Sequence, residues 1–112
     1  MVWSILAGAD RMELENGMEL RLLSALEVLE ARREAEELAQ SERERALCSN
    51  ACLLARALES GEKPVFDSGR AVLAGLTVSE IAALAGRWRE FDRKENPSAA
   101  GTAEELENVK KN

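Results

Sequence analysis

Arg11-Met-Glu-Leu-Glu-Asn-Gly-Met-Glu-Leu-Arg-Leu-Leu23 alternates apolar and charged residues on both sides of Asn16-Gly17, the pattern of a β-hairpin. Two registers are open to it. A two-residue turn would pair Leu14 with Glu19 and Glu13 with Leu20, mixing apolar and charged groups on each face. A three-residue loop, Glu15-Asn16-Gly17, pairs Leu14 with Met18 and Met12 with Leu20. It gathers Met12, Leu14, Met18, Leu20 and Leu22 on one face and puts Gly17 at the left-handed position of a bulged turn. The second register is preferred. A lone hairpin is only marginally stable, so its apolar face has to lie on helices.

Outward from the hairpin, the helical signals are strong. Ser24 caps a tract that runs to about Ser60, closed by Gly61 and followed by Pro64. Its first half carries Leu26, Val28 and Leu29, then Ala35, Leu38 and Ala39. Its second half carries Leu47, Ala51, Leu54 and Leu58 at i, i+4, i+7, i+11, broadened by Cys48, Cys52 and Ala55. Between them Gln40-Ser-Glu-Arg-Glu-Arg45 is polar all round. Either one long helix projects its middle into water or two helices meet near Ser41. Arg33/Glu37 and Glu42/Arg45 are spaced to support a solvated helix surface.

Glu62-Lys-Pro-Val-Phe-Asp67 reads as a short extended connection, and Asp67 or Ser68 as the cap of a short helix over Arg70–Ala74 that ends at Gly75. Thr77 and Glu80 form a capping box, flanked by Leu76 and Ile81 in staple positions. The helix they open bears Ile81, Leu84, Ala85, Trp88 and Phe91 on one stripe, and Asn96-Pro97 stops it. From Ser98 the residues turn small and polar, with Thr102-Ala-Glu-Glu105 able to open a last turn. The expected architecture is mostly α in an α+β arrangement. A hairpin at about 11–23 packs on a bundle of about three to four helices, within one domain over 1–97, and a mobile tail covers 98–112.

Composition agrees with a helical core. Hydrophobic residues make up 46% and charged residues 32% of the 112, and the only aromatics are Trp3, Phe66, Trp88 and Phe91. Leu, Ala and Val must therefore fill the interior, and such cores are usually helical. The formal charge of −6, from 21 acids and 15 bases, repels phosphate backbones and anionic membranes. No nucleic acid and no membrane are therefore expected as partners, although a local basic face stays open. The N-terminus Met1-Val-Trp-Ser-Ile-Leu-Ala-Gly-Ala-Asp10 lacks a basic leader, and its apolar run is too short for a signal peptide or a membrane span, so a cytoplasmic location is expected.

The chemistry of catalysis is sparse. The chain has no histidine, the commonest general base. Cys48 and Cys52 sit four apart in a helical stretch, a spacing that suits a disulfide badly, and they read as reduced apolar side chains on a buried face. No Gly-rich phosphate loop is present, and the acids lie at helix-surface spacing. No catalytic, cofactor-binding or metal-binding residue is assigned, and no cofactor is expected. A helix-turn-helix is the sharpest rival: Leu76-Thr-Val-Ser-Glu-Ile-Ala-Ala-Leu-Ala-Gly86 has that motif's opening and its turn glycine. Arg87 and Asp92 stand where its apolar residues belong, and the stripe from Ile81 through Trp88 to Phe91 keeps step across Gly86 as one helix would. As exposed contacts to a partner, Trp88, Phe91 and Trp3 are the candidates, because aromatic anchors dominate binding energy.

Met12-Glu-Leu-Glu-Asn-Gly-Met-Glu-Leu-Arg-Leu-Leu-Ser-Ala-Leu-Glu-Val-Leu-Glu-Ala-Arg32 resembles the opening of small phage tail assembly chaperones, in which a glycine-turned hairpin leads into a Leu-rich helix. Gly75-Leu-Thr-Val-Ser-Glu-Ile-Ala-Ala-Leu84 and Trp88-Arg-Glu-Phe-Asp-Arg-Lys-Glu-Asn-Pro-Ser98 resemble their closing helix and its Asn-Pro-Ser stop. The similarity spans residues 12 to 98 and lies in pattern rather than in a catalytic signature. It implies a prophage protein of the bacterial host cytoplasm that coats the tape measure protein until tail tube protein replaces it. Such genes often yield a longer product by frameshifting, and Lys110-Lys111 can be encoded by a slippery adenine run. A generic helical adaptor or self-associating homo-oligomer, and a DNA-binding regulator, are the alternatives.

Overall fold

A computed structural model describes residues 10–95. Trp3, the Asn96-Pro97 stop and the tail from Ser98 lie outside the described residues. The order of elements is β1 (Arg11–Glu13), β2 (Met18–Arg21), α1 (Ala25–Leu38), α2 (Glu42–Ala57), β3 (Leu58–Ser60), β4 (Lys63–Pro64), α3 (Gly69–Gly75) and α4 (Val78–Glu95). The architecture is α+β: among the described residues, an antiparallel four-stranded sheet in the order β1-β2-β3-β4 lies beside four helices.

The hairpin takes the three-residue-loop register. Met12 stands opposite Leu20, and the Leu14 N–H donates to the Met18 carbonyl at 2.8 Å. Gly17 has the left-handed φ of 75°, and Asn16 shares it at 79°, a conformation Asn tolerates better than most residues. Met12, Leu14 and Met18 pack against the core around the fully buried Leu20. Leu22 was expected on that face, but Leu23 packs there instead. The strand has ended at Arg21, so alternation no longer governs which side chain turns inward.

Two helices, not one, fill the long tract. Ser24 and Glu27 form a reciprocal capping box at the start of α1. The all-polar segment breaks the run at Ala39–Ser41, where the Gln40 N–H donates to the Glu44 carboxylate at 2.9 Å. Nor does α2 continue to Ser60. It stops at Ala57, and Leu58–Ser60 becomes β3, paired to β2 with Leu58 opposite Leu20 and Glu59 opposite Glu19. The chain then reverses through Gly61 and Glu62, at φ 59° and 65°. Ser60 faces Lys63 across this two-residue turn. Glu62 is strained there, since a Cβ in the left-handed region costs about 1 kcal/mol.

Leu58 opposite Leu20 seals the sheet to the helices, both essentially without solvent exposure. The outer face of the sheet opposes like charges directly, Arg11 to Arg21 and Glu19 to Glu59, which by itself would be unfavourable. Diagonal ion pairs resolve it. One Arg11 nitrogen reaches Glu19 at 2.8 Å and Glu59 at 2.7 Å, and Arg21 reaches Glu59 at 3.1 Å. Arg21 also pairs with Glu27, so the network continues from the sheet into the α1 cap.

Short α3 begins at Ser68, which accepts from the Ala71 N–H at 3.1 Å. The box at Thr77 and Glu80 opens α4, with bonds of 2.8 and 3.1 Å. That helix runs unbroken through Gly86 to Glu95 and buries Ile81, Ala85, Trp88 and Phe91. The turn that a helix-turn-helix needs at Gly86 is therefore missing. Trp88 is 6% exposed, and its indole N–H donates to the Arg21 carbonyl at 2.8 Å, bolting α4 to the end of β2.

Three measurements check these contacts. Trp88→Phe strands the Arg21 carbonyl and should lower unfolding free energy by about 1–3 kcal/mol in urea titrations. Glu62→Asn relieves the left-handed strain and should raise it by about 0.5 kcal/mol. The Arg21 guanidinium beside Glu27 holds that carboxyl down at about 2, against an ordinary 4.5, aided by the Ser24 N–H. Its contribution is therefore complete above pH 4.5 and fades as pH falls toward 2. Glu27→Gln should flatten the fall of the urea midpoint across that acid range.

Candidate partner-binding groove

The face that α1 buries is set by its small residues. Ala31 and Ala35 are 4% and 3% exposed and pack with Cys48 and Cys52 of α2. Small side chains on both helices let their axes approach closely. Glu34 fixes the distance from the side: it accepts from Arg56 of α2 at 2.7 Å and from the Gly69 N–H of α3 at 2.7 Å. Burial alone would raise the Glu34 carboxyl, but Arg56 and the Gly69 N–H outweigh it and hold it below the ordinary range. Gly69 leaves no room for a side chain, because a Cβ there would run into the Cys52 sulfur.

With the alanines turned inward, the helical period turns Leu26 and Leu29 outward. They are 59% and 45% exposed, whereas the sequence groups them with the apolar residues of α1. They stand one turn apart on α1. Next to them opens a groove. Helices α1 and α4 both pack on α2, but between them runs a cleft of about 390 Å³ over Ser49, Leu53 and Trp88, walled by Val28, Ala31 and Arg32 of α1 and by Arg89, Asp92 and Arg93 of α4. It continues past Arg32 and Ser49 into a second hollow of about 430 Å³ lined by Leu29, Arg33, Ala35, Glu36 and Arg45.

The electrostatics of this groove oppose those of the chain. Five arginines line it against two acids, Glu36 and Asp92, in a protein of net charge −6. All five are exposed. Arg45 is held by Glu36 at 3.1 Å and Glu42 at 3.4 Å, the second being the pair expected from sequence. Arg89 donates to Asn50 at 2.6 Å. Arg32, Arg33 and Arg93 extend the cationic rim on both sides of the cleft.

The aromatic candidates are placed differently from expectation. Trp88 and Phe91 are not offered at the surface. Trp88 forms the floor of the groove with its N–H already satisfied, and Phe91 is 8% exposed. Phe91 lines a separate cleft with Arg11, Met12, Arg87, Glu90, Lys94 and Glu95 between β1 and α4. Two cations there are engaged elsewhere, Arg11 with Glu19 and Glu59 and Arg87 with Glu15 at 3.0 Å. Trp3 lies outside the described residues.

The cysteines are free and buried. Burial, then Glu34, pushes the Cys52 thiol up to about 12, and burial and Glu44 raise Cys48 as well, so both stay thiols at neutral pH. Among the described residues, no group of three or more His, Cys, Asp or Glu side chains is placed to hold a metal ion. Nor is any described helix long and apolar enough to cross a membrane. The surface residues that sequence reasoning missed, the exposed Leu26 and Leu29 and the groove arginines, carried one signal: polar residues follow the two leucines at the positions where a buried stripe would continue.

A scan against protein-family models, a search of curated proteins and a search of solved structures each return no match for this chain.

Proposed function

We propose that this chain is a non-catalytic protein-binding module, a small phage tail assembly chaperone that coats the tape measure protein in the host cytoplasm. Its working surface is the groove between α1 and α4 together with the adjoining exposed leucines of α1. The observation that carries the reading is the exposure of Leu26 and Leu29, 59% and 45%, on a helix that buries alanines instead. Two leucines one turn apart add little to the fold from that position. They suit the apolar stripe of an incoming helix, the helix-in-groove mode of recognition.

Self-association is the second reading, favoured by the same two leucines, since a second copy could cover them through a two-fold contact. Light scattering on the purified chain distinguishes it: a dimer that Leu26→Glu dissolves would favour this reading.

The direct test is co-expression with the tape measure protein of the tail that the chain is proposed to help assemble. Leu26→Glu combined with Leu29→Glu should leave stability nearly unchanged, within about 0.5 kcal/mol per exposed site. It should also abolish co-purification and return the tape measure protein to the insoluble fraction. Undiminished capture by the double variant would sink the proposal.

A further inference from the structure

We infer that the segment seated in this groove is an amphipathic helix whose flanks are acidic. The inference rests on the protein-binding reading above and adds the chemistry of the partner. Its basis is charge and shape together. The cleft is an elongated channel between two helices, floored by Leu53 and Trp88 and continued past Leu29, so it takes a rod with one apolar stripe. Both walls present arginine: Arg32 and Arg33 from α1, Arg89 and Arg93 from α4, and Arg45 at the far end. A helix laid between those walls brings the residues on either side of its stripe against guanidinium groups. Glutamate there gains forked hydrogen bonds from arginine, whereas lysine meets like charge.

A nucleic acid would meet the same arginines, but two features favour the peptide. The aromatic ring of the floor is buried, with its N–H bonded to the Arg21 carbonyl, so it offers no open face for stacking a base. The apolar contacts available in the groove, Val28, Leu29 and Leu53, match side chains rather than sugars and phosphates. The chain's overall charge of −6 also repels a polyanion that reaches beyond the groove, while a short helix of alternating character stays within it.

The test uses the full chain and two synthetic helical peptides that share one leucine stripe, flanked by glutamates in one and lysines in the other, followed by fluorescence anisotropy. The acidic peptide should bind at least about 10-fold tighter at low salt, with the advantage shrinking as salt screens the rim. Replacing Arg32, Arg89 and Arg93 together by Glu should reverse the preference, while circular dichroism and melting stay as in the parent. Because these side chains are exposed, a folded variant is expected; Arg32→Glu with Arg93→Glu alone, which spares the Arg89 bond to Asn50, gives a milder version with a smaller reversal.

Equal binding of the two peptides, or preference for lysine, overturns the inference. So does tight binding of a single-stranded RNA oligomer that the triple variant loses. Binding that emerges only after removal of residues 98–112 also overturns it, because the chain's own Glu104-Glu-Leu-Glu107 would then be the occupant. Capture of the tape measure protein that depends on Leu26 and Leu29 but not on the arginines would leave the function standing and remove the acidic-helix assignment alone.

Discussion

The passage from helix to strand between Ala57 and Leu58, without a connecting loop, is the constraint on which the rest of this fold depends. Because β3 continues directly from α2, the position of the sheet is tied to the end of that helix. Leu58 enters the sheet opposite Leu20 and both vanish from solvent. The next residue, Glu59, is thereby forced to the outer face and directly against Glu19. The arginines at 11 and 21 are then needed where they stand, one reaching both glutamates and the other tying Glu59 to the α1 cap through Glu27. The Arg21 carbonyl ends the strand at the point where Trp88 can bond it. One covalent junction thus sets the register of the sheet, its charge pattern and the seat of α4.

From the same centre the position of α1 follows. Helix α2 must bury residues on several sides at once, and those facing α1 are small: Cys48 and Cys52 against Ala31 and Ala35. Close approach needs small residues on both helices, and Glu34 reinforces it by holding Arg56 and the start of α3. Leu26 and Leu29 of α1 are left exposed. The groove is therefore a product of the packing: α1 is drawn onto α2 by alanine, α4 is drawn toward the sheet by Trp88, and neither closes over Ser49 and Leu53.

Local signals carried much of this in the sequence. The hairpin register could be read because a one-residue slip would have mixed Glu13 with Leu20, and both reciprocal caps, Ser24 with Glu27 and Thr77 with Glu80, are short-range patterns. The continuity of α4 across Gly86 followed from its stripe. What failed was non-local. Leu58 falls in step with Leu47, Ala51 and Leu54, so helical periodicity ran on into β3, and nothing within three residues betrays a strand whose partner lies some forty residues earlier. Leu26 and Leu29 were read with the core for a related reason: apolar type does not say which face is buried, and the alanines of α1 decided it. Trp88 was assigned to a partner because large aromatics make good anchors, but the same size makes it the residue best able to bridge α4 and β2.

The charge pattern follows from this division of labour. On the sheet, every arginine sits among glutamates that the register forces together, and its charge is consumed within the fold. Around the groove, Arg32, Arg33 and Arg93 stand on exposed helix surfaces that the register does not touch, on two elements that both pack on α2. An exposed arginine contributes little to stability, and the sheet network would persist without these three. Among the described residues, the groove rim of this acidic chain brings exposed arginines together beside exposed leucine, and on that coincidence of two features, neither demanded by the packing, the proposed binding role rests.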